Sequence, residues 1–161
     1  LLYNVPSRTG VTIQPETYRI LSEHPNIRGT KEASGNLSLI ARTAALCGQG
    51  FDIYSGNDDQ TVPIMSLGGK GVISVLSNVA PRYTHEMVMK YLEGNTKEAC
   101  QMQLNALPLI DALFCEVNPI PVKAAMNLMG KNVGSLRAPL TEMEPAHQEK
   151  LAAELKAFGL M

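Results

Sequence analysis

The sequence predicts an α/β chain: four strand–helix units on a parallel sheet, the C-terminal half of a (β/α)8 barrel, followed by a small all-helical domain. Three observations carry this. Over residues 1–94, short strand-like runs alternate four times with helical patterns, and such alternation builds right-handed βαβ units on a parallel sheet. After Gly94 only helical patterning remains, which sets a boundary at Gly94-Asn95 between a half-barrel over 1–94 and a helical domain over 95–161. A complete eightfold barrel takes about 250 residues, so four units make half of one.

Each element has its own reason. Leu1 to Asn4 reads as a short buried strand, and Val5 to Gly10 as a loop punctuated by Pro6 and Gly10. Pro15 suits the first turn of a helix, with Glu16 behind it, and Pro25 closes that helix. The second strand runs from Asn26 to Glu32 and breaks into Ala33-Ser34-Gly35-Asn36. Asn36 is the expected N-cap of a helix from Leu37 to Cys47, with Leu39, Ile40, Ala44 and Cys47 on one face. Phe51 to Tyr54 forms the third strand, Asp59 to Leu67 a helix despite Pro63, and Gly71 to Val75 the fourth strand. Pro81 opens a helix through Leu92.

The second part is read the same way. Thr96 to Glu116 carries Ala99, Met102, Ala106, Leu109, Ile110, Leu113 and Phe114 on a broad apolar face, with a kink expected at Pro108. Another helix starts around Pro119-Ile120-Pro121 and stops at Met129-Gly130, Lys131 to Met143 is a loop, and Pro145 opens a last helix ending near Gly159.

Composition narrows the function. The 161 residues carry a net charge of −1, which gives nucleic acid or an anionic membrane nothing to hold. No apolar run approaches the roughly 20 residues of a membrane span. Cys47, Cys100 and Cys115 have no CxxC spacing and read as free thiols in a reducing compartment, so a cytoplasmic location is expected. His24, His85 and His147 are dispersed, without a second ligand nearby, so no metal site is expected. Gly68-Gly69-Lys70-Gly71 precedes a strand rather than a helix, which excludes a phosphate loop. The chain opens in mid-strand without an initiator Met and reads as a piece of a longer protein.

The chemistry gathers at the carboxyl ends of the strands, where parallel α/β folds place their sites. Lys31 ends the second strand. A lysine pointing into a packed barrel is desolvated, which favours the neutral, nucleophilic amine, so Lys31 is the candidate Schiff-base former. Tyr3 ends the first strand, and a phenol there can relay protons. Arg8, in the loop beyond, can clamp a carboxylate with two parallel hydrogen bonds. Gly56 offers bare backbone at the third strand end, where a small substrate could approach closely. Ile73 lies near the fourth. Any one of these alone is an ordinary residue; the combination of nucleophile, proton relay and anion clamp on one face is not.

Tyr3-Asn4-Val5-Pro6-Ser7-Arg8-Thr9-Gly10, Lys31-Glu32-Ala33-Ser34-Gly35-Asn36, Ser55-Gly56-Asn57-Asp58-Asp59 and Gly68-Gly69-Lys70-Gly71-Val72-Ile73-Ser74-Val75 resemble, in order, segments of the dihydrodipicolinate synthase family. That family belongs to the pyruvate-dependent class I aldolases, which also include N-acetylneuraminate lyase. Arg8 favours the synthase branch, because neuraminate-cleaving relatives usually lack it. The resemblance implies that Lys31 forms an imine with pyruvate and Tyr3 shuttles protons. It implies that Arg8 binds the carboxylate of L-aspartate 4-semialdehyde, and that Gly56 and the carbonyl of Ile73 line the pocket. The implied product is 4-hydroxy-tetrahydrodipicolinate, on the route to lysine and diaminopimelate, made without metal or organic cofactor by a homotetramer. It also implies that an N-terminal half-barrel is missing here, and with it the hydroxyls that bind the pyruvate carboxylate, a second relay tyrosine and the lysine feedback site. Two rival readings are another aldolase of the superfamily and a non-catalytic half-barrel that serves only as an assembly unit.

Overall fold

The structure is a computed structural model describing residues 1–161. The chain forms two compact units, Leu1–Ser74 and Val75–Met161.

The first unit is a parallel sheet of β1 (Leu2–Asn4), β2 (Gly29–Glu32), β3 (Asp52–Ser55) and β4 (Gly71–Val72), paired in that order. Helices fill the connections: α1 (Pro6–Thr9), α2 (Pro15–Ser22), α3 (Leu37–Cys47) and α4 (Thr61–Ser66). The register aligns Tyr3 with Lys31 and Lys31 with Tyr54, and one residue on it aligns Asn4 with Glu32 and Glu32 with Ser55. Side chains alternate across a sheet, so Tyr3, Lys31 and Tyr54 share one face, while Asn4, Glu32 and Ser55 share the other. Burial follows this division: the second row is buried, whereas Tyr3 is exposed and Lys31 and Tyr54 are half-buried.

The buried face packs on the helices. Tyr18, Ile40, Phe51, Ile53 and Ile64 form the core of this unit, with Leu39, Ala44, Cys47 and Leu67 against its margin. Each large side chain buried this way contributes about 1.5–3 kcal/mol relative to exposure. The face expected on α3 is therefore present, with Thr43 as an added buried member whose hydroxyl donates to the Leu39 carbonyl. Asn36 caps the helix: its Oδ1 accepts from the Leu39 N–H at 3.0 Å. Asn36→Ala should lower stability by about 1 kcal/mol, read as a lower urea midpoint at unchanged slope.

Four boundaries differ from the sequence reading, each for a local reason. Pro6–Thr9 is a turn of helix rather than loop: Pro6 supplies a fixed φ at its start, and Gly10, at φ 68°, closes it by bonding back to the Pro6 carbonyl. β2 begins at Gly29, not Asn26, because its neighbour β3 begins at Asp52. β4 ends at Val72, because β3 ends at Ser55 and offers its last partner, the Ser55 carbonyl, to the Ile73 N–H at 2.8 Å. The helix expected from Asp59 is a short 3-10 turn over Asp58–Gln60 followed by α4 from Thr61, and the Ser55 hydroxyl donates to the Asn57 carbonyl and accepts from the Asn57 N–H, turning the chain after β3.

The second unit is helical: α5 (Pro81–Leu92), α6 (Thr96–Leu113), α7 (Ile120–Leu128) and α8 (Pro145–Ala157). It takes in α5, which packs on α6, as well as the helices after the turn at Gly94-Asn95. Tyr83 of α5 donates to the Met102 carbonyl at 2.8 Å and stacks edge-on against Phe158 at 4.8 Å. The core holds Leu76, Leu109, Leu113, Leu151 and Leu155. On α6 the buried side is Ala99, Gln103, Ala106, Leu109, Ile110, Ala112 and Leu113. The helix continues through Pro108 and ends at Leu113, three residues earlier than the pattern suggested. No helix is long and apolar enough to cross a membrane.

Candidate functional site

The exposed row of the sheet carries the candidate chemistry. Lys31 and Tyr3 are register partners on adjacent parallel strands, and the Lys31 Nζ lies 4.4 Å from the centroid of the Tyr3 ring, a cation–π geometry. The structure thus places amine and phenol side by side through the sheet itself. Tyr3 is 48% exposed. Lys31 is half-buried rather than enclosed, which departs from the desolvated lysine expected in a packed barrel: these four strands cover only part of its chain.

Gly56 completes the cluster by its smallness. Its N–H bonds the Glu32 carbonyl at 2.7 Å, drawing the start of the β3 loop onto the end of β2. A Cβ at this position would stand 2.7 Å from the Ala33 Cβ and 3.2 Å from the Lys31 Cε. Ala33 is held in turn by its own N–H to the Asn4 carbonyl at 2.9 Å, so it has no room to yield. Gly56→Ala should cost about 1–3 kcal/mol by overpacking. It should also push the Lys31 chain off Tyr3, read as a lower urea midpoint and a displaced lysine in the variant's crystal structure.

The other two candidates sit on neighbouring segments. Arg8 is exposed on α1, one turn beyond Tyr3. Ile73 is 39% exposed just past β4, its N–H engaged with Ser55.

Sequence reasoning missed what lies behind the row. Glu32 is 1% exposed, and Asn4 and Thr30 are buried beside it. The Asn4 amide donates to both Glu32 oxygens at 3.0 and 3.1 Å, the Tyr18 hydroxyl donates at 3.0 Å, and the Ser34 N–H donates at 2.8 Å. Thr30 donates to the Tyr18 oxygen at 3.2 Å, and the Asn4 Oδ1 accepts from the Ile13 N–H at 3.1 Å. Burial, and then the neighbouring Glu32 charge, raise the Tyr18 hydroxyl far above its usual range, so it stays a donor. The signal was available: if Lys31 faces one side of a strand, Glu32 must face the helices. Tyr54, beside Lys31 on β3, was missed as well. No group of three or more His, Cys, Asp and Glu is arranged to hold a metal.

Fold and cluster together define a parallel α/β protein with a lysine packed on a tyrosine at the carboxyl edge of its sheet. The chain belongs to the Dihydrodipicolinate synthetase family, whose sequence pattern matches residues 1–158. It is 59% identical over 162 residues to a 4-hydroxy-tetrahydrodipicolinate synthase of Lachnoclostridium phytofermentans, covering 100% of this chain and 55% of that protein. Among solved structures, dihydrodipicolinate synthase of Thermotoga maritima superposes with a TM-score of 0.96 at 44% identity, over 99% of this chain and 55% of that one. A chloride-inhibited dihydrodipicolinate synthase of Acinetobacter baumannii, complexed with pyruvate, gives 0.95 at 36% identity over 99% and 55%. The chain therefore spans about half the length of the relatives it matches.

Proposed function

We propose that this chain supplies the nucleophile of a 4-hydroxy-tetrahydrodipicolinate synthase, which condenses pyruvate with L-aspartate 4-semialdehyde. The observation that carries this reading is the Lys31 amine set 4.4 Å from the Tyr3 ring at the strand ends. The Lys31 amine adds to the pyruvate ketone and, with loss of water, forms an imine. The protonated imine draws electrons from the methyl carbon, which loses a proton to give an enamine. That carbon attacks the aldehyde, whose oxygen takes up a proton. The substrate amine then displaces Lys31 and closes the ring. Tyr3 is assigned to hand protons to and from the departing oxygen and nitrogen. Arg8 is assigned to the carboxylate of the semialdehyde, and Gly56 and the Ile73 carbonyl to the pocket wall.

The pyruvate-bound relative supports the assignment of the first substrate. The half-covered lysine supports a further reading: the sheet is the second half of a (β/α)8 barrel, and a preceding half-barrel covers Tyr3, Lys31 and Tyr54. We further assign the whole protein to the cytoplasm as a homotetramer; sedimentation of the intact gene product tests the tetramer.

Mass spectrometry after pyruvate and borohydride tests the lysine assignment. A single reduced pyruvate adduct on the Lys31 peptide of the intact gene product is expected. An unmodified protein, or an adduct elsewhere, overturns the reading.

A further inference from the structure

We infer that Glu32 is a positioning residue: its buried carboxylate, on the helix side of the sheet, locks the ends of β1 and β2 together and so holds Tyr3 against Lys31 on the other side. The inference rests on the Lys31 reading and deepens it. Asn4 and Glu32 are register partners one residue beyond Tyr3 and Lys31, so the bond between their side chains is the back of the same joint. Each side of that joint is anchored again. Asn4 holds the Ile13 N–H, fixing the segment after α1, and Glu32 holds the Ser34 N–H, fixing the loop after Lys31. Tyr18 brings α2 onto the same carboxylate, with its ring seated in the core against Phe51 at 5.9 Å.

The chemistry of the joint requires a carboxylate. Four hydrogen bonds converge on its two oxygens from neutral donors: an amide, a phenol and a backbone N–H. An apolar side chain of similar size would fill the space but leave those buried donors without acceptors. Glutamine would keep the shape but turn an amide NH2 towards groups that themselves donate. Asn4 cannot simply flip to meet it, because its oxygen already serves Ile13. A buried charge with no ion partner is a costly way to stabilise a fold, and this one stands directly behind the candidate nucleophile.

Glu32→Gln in the intact gene product tests the inference by crystal structure and by the rate of pyruvate trapping. The Nζ-to-ring separation should widen by about 1 Å, a misplacement able to slow chemistry up to about a hundredfold. The maximal trapping rate should fall while the half-saturating pyruvate concentration holds. In a Tyr3→Phe background the Glu32→Gln factor should shrink towards one, because the relay it positions is already gone. An unchanged separation, or the same factor in both backgrounds, overturns the inference. If the parent protein forms no adduct, the Lys31 reading falls, and the crystal comparison still decides the role of Glu32. If Glu32→Gln does not fold, Tyr18→Phe removes one donor and keeps the ring; an unmoved lysine there counts against the inference.

Discussion

Lys31→Arg in the intact gene product should abolish the proposed condensation while leaving the fold intact. Arginine keeps the positive charge and can still lie over the Tyr3 ring, so the packing seen at 4.4 Å survives. A guanidinium stays protonated and is no nucleophile, so no imine forms. Removing a covalent nucleophile lowers turnover by about a millionfold in well-studied hydrolases, and a loss on that scale, to the background of the assay, is expected here. Circular dichroism and the urea midpoint should match the parent. Tyr3→Phe provides the graded comparison: it keeps the ring face and removes only the hydroxyl. Loss of a proton relay costs about 10²- to 10⁴-fold, with the adduct still trapped, only more slowly. Retained turnover in Lys31→Arg would falsify the Schiff-base mechanism at this residue. Equal turnover in Tyr3→Phe would leave the lysine assignment standing and remove the tyrosine from it.

The positions of Lys31 and Tyr3 were legible because strand alternation and strand ends are written locally. A short run, a small-residue break and a following helix place a residue at the carboxyl edge of a sheet without knowledge of its neighbours. The order β1-β2-β3-β4 follows from the same alternation, since right-handed units add strands one beside the next. Properties that depend on a partner's length were not legible. β4 stops at Val72 because β3 stops at Ser55, and nothing in Gly71 to Val75 says so. Glu32 was passed over because a charge beside a lysine looks like a solvated pair, whereas the pleat sends the two side chains to opposite faces. The cover over Lys31 was expected from barrel geometry as a whole, and four strands supply only part of it.

The end of α6 separates what pattern and packing each determine. Leu113 and Phe114 both fall on the apolar face read from the sequence, and by hydrophobicity the phenylalanine is the larger contributor. In the structure Leu113 is wholly buried in the core with Leu76, Leu151 and Leu155, whereas Phe114 is 42% exposed, in the residue after the helix. The difference arises because α6 closes at Leu113: Phe114 bonds back to the Ile110 and Asp111 carbonyls but leaves the helical path, so its side chain swings off the stripe. Leu113→Ala should therefore cost about 2–5 kcal/mol, the transfer term plus the cavity that neighbouring leucines cannot fill. That is a large share of the roughly 5–15 kcal/mol that holds a domain together. Phe114→Ala should cost under about 1 kcal/mol, close to an ordinary surface change. Urea unfolding of both variants decides the matter. A Phe114→Ala loss equal to or larger than that of Leu113→Ala would mean that the apolar stripe continues past Leu113, and that Phe114 is covered in the intact protein by a surface this chain does not supply.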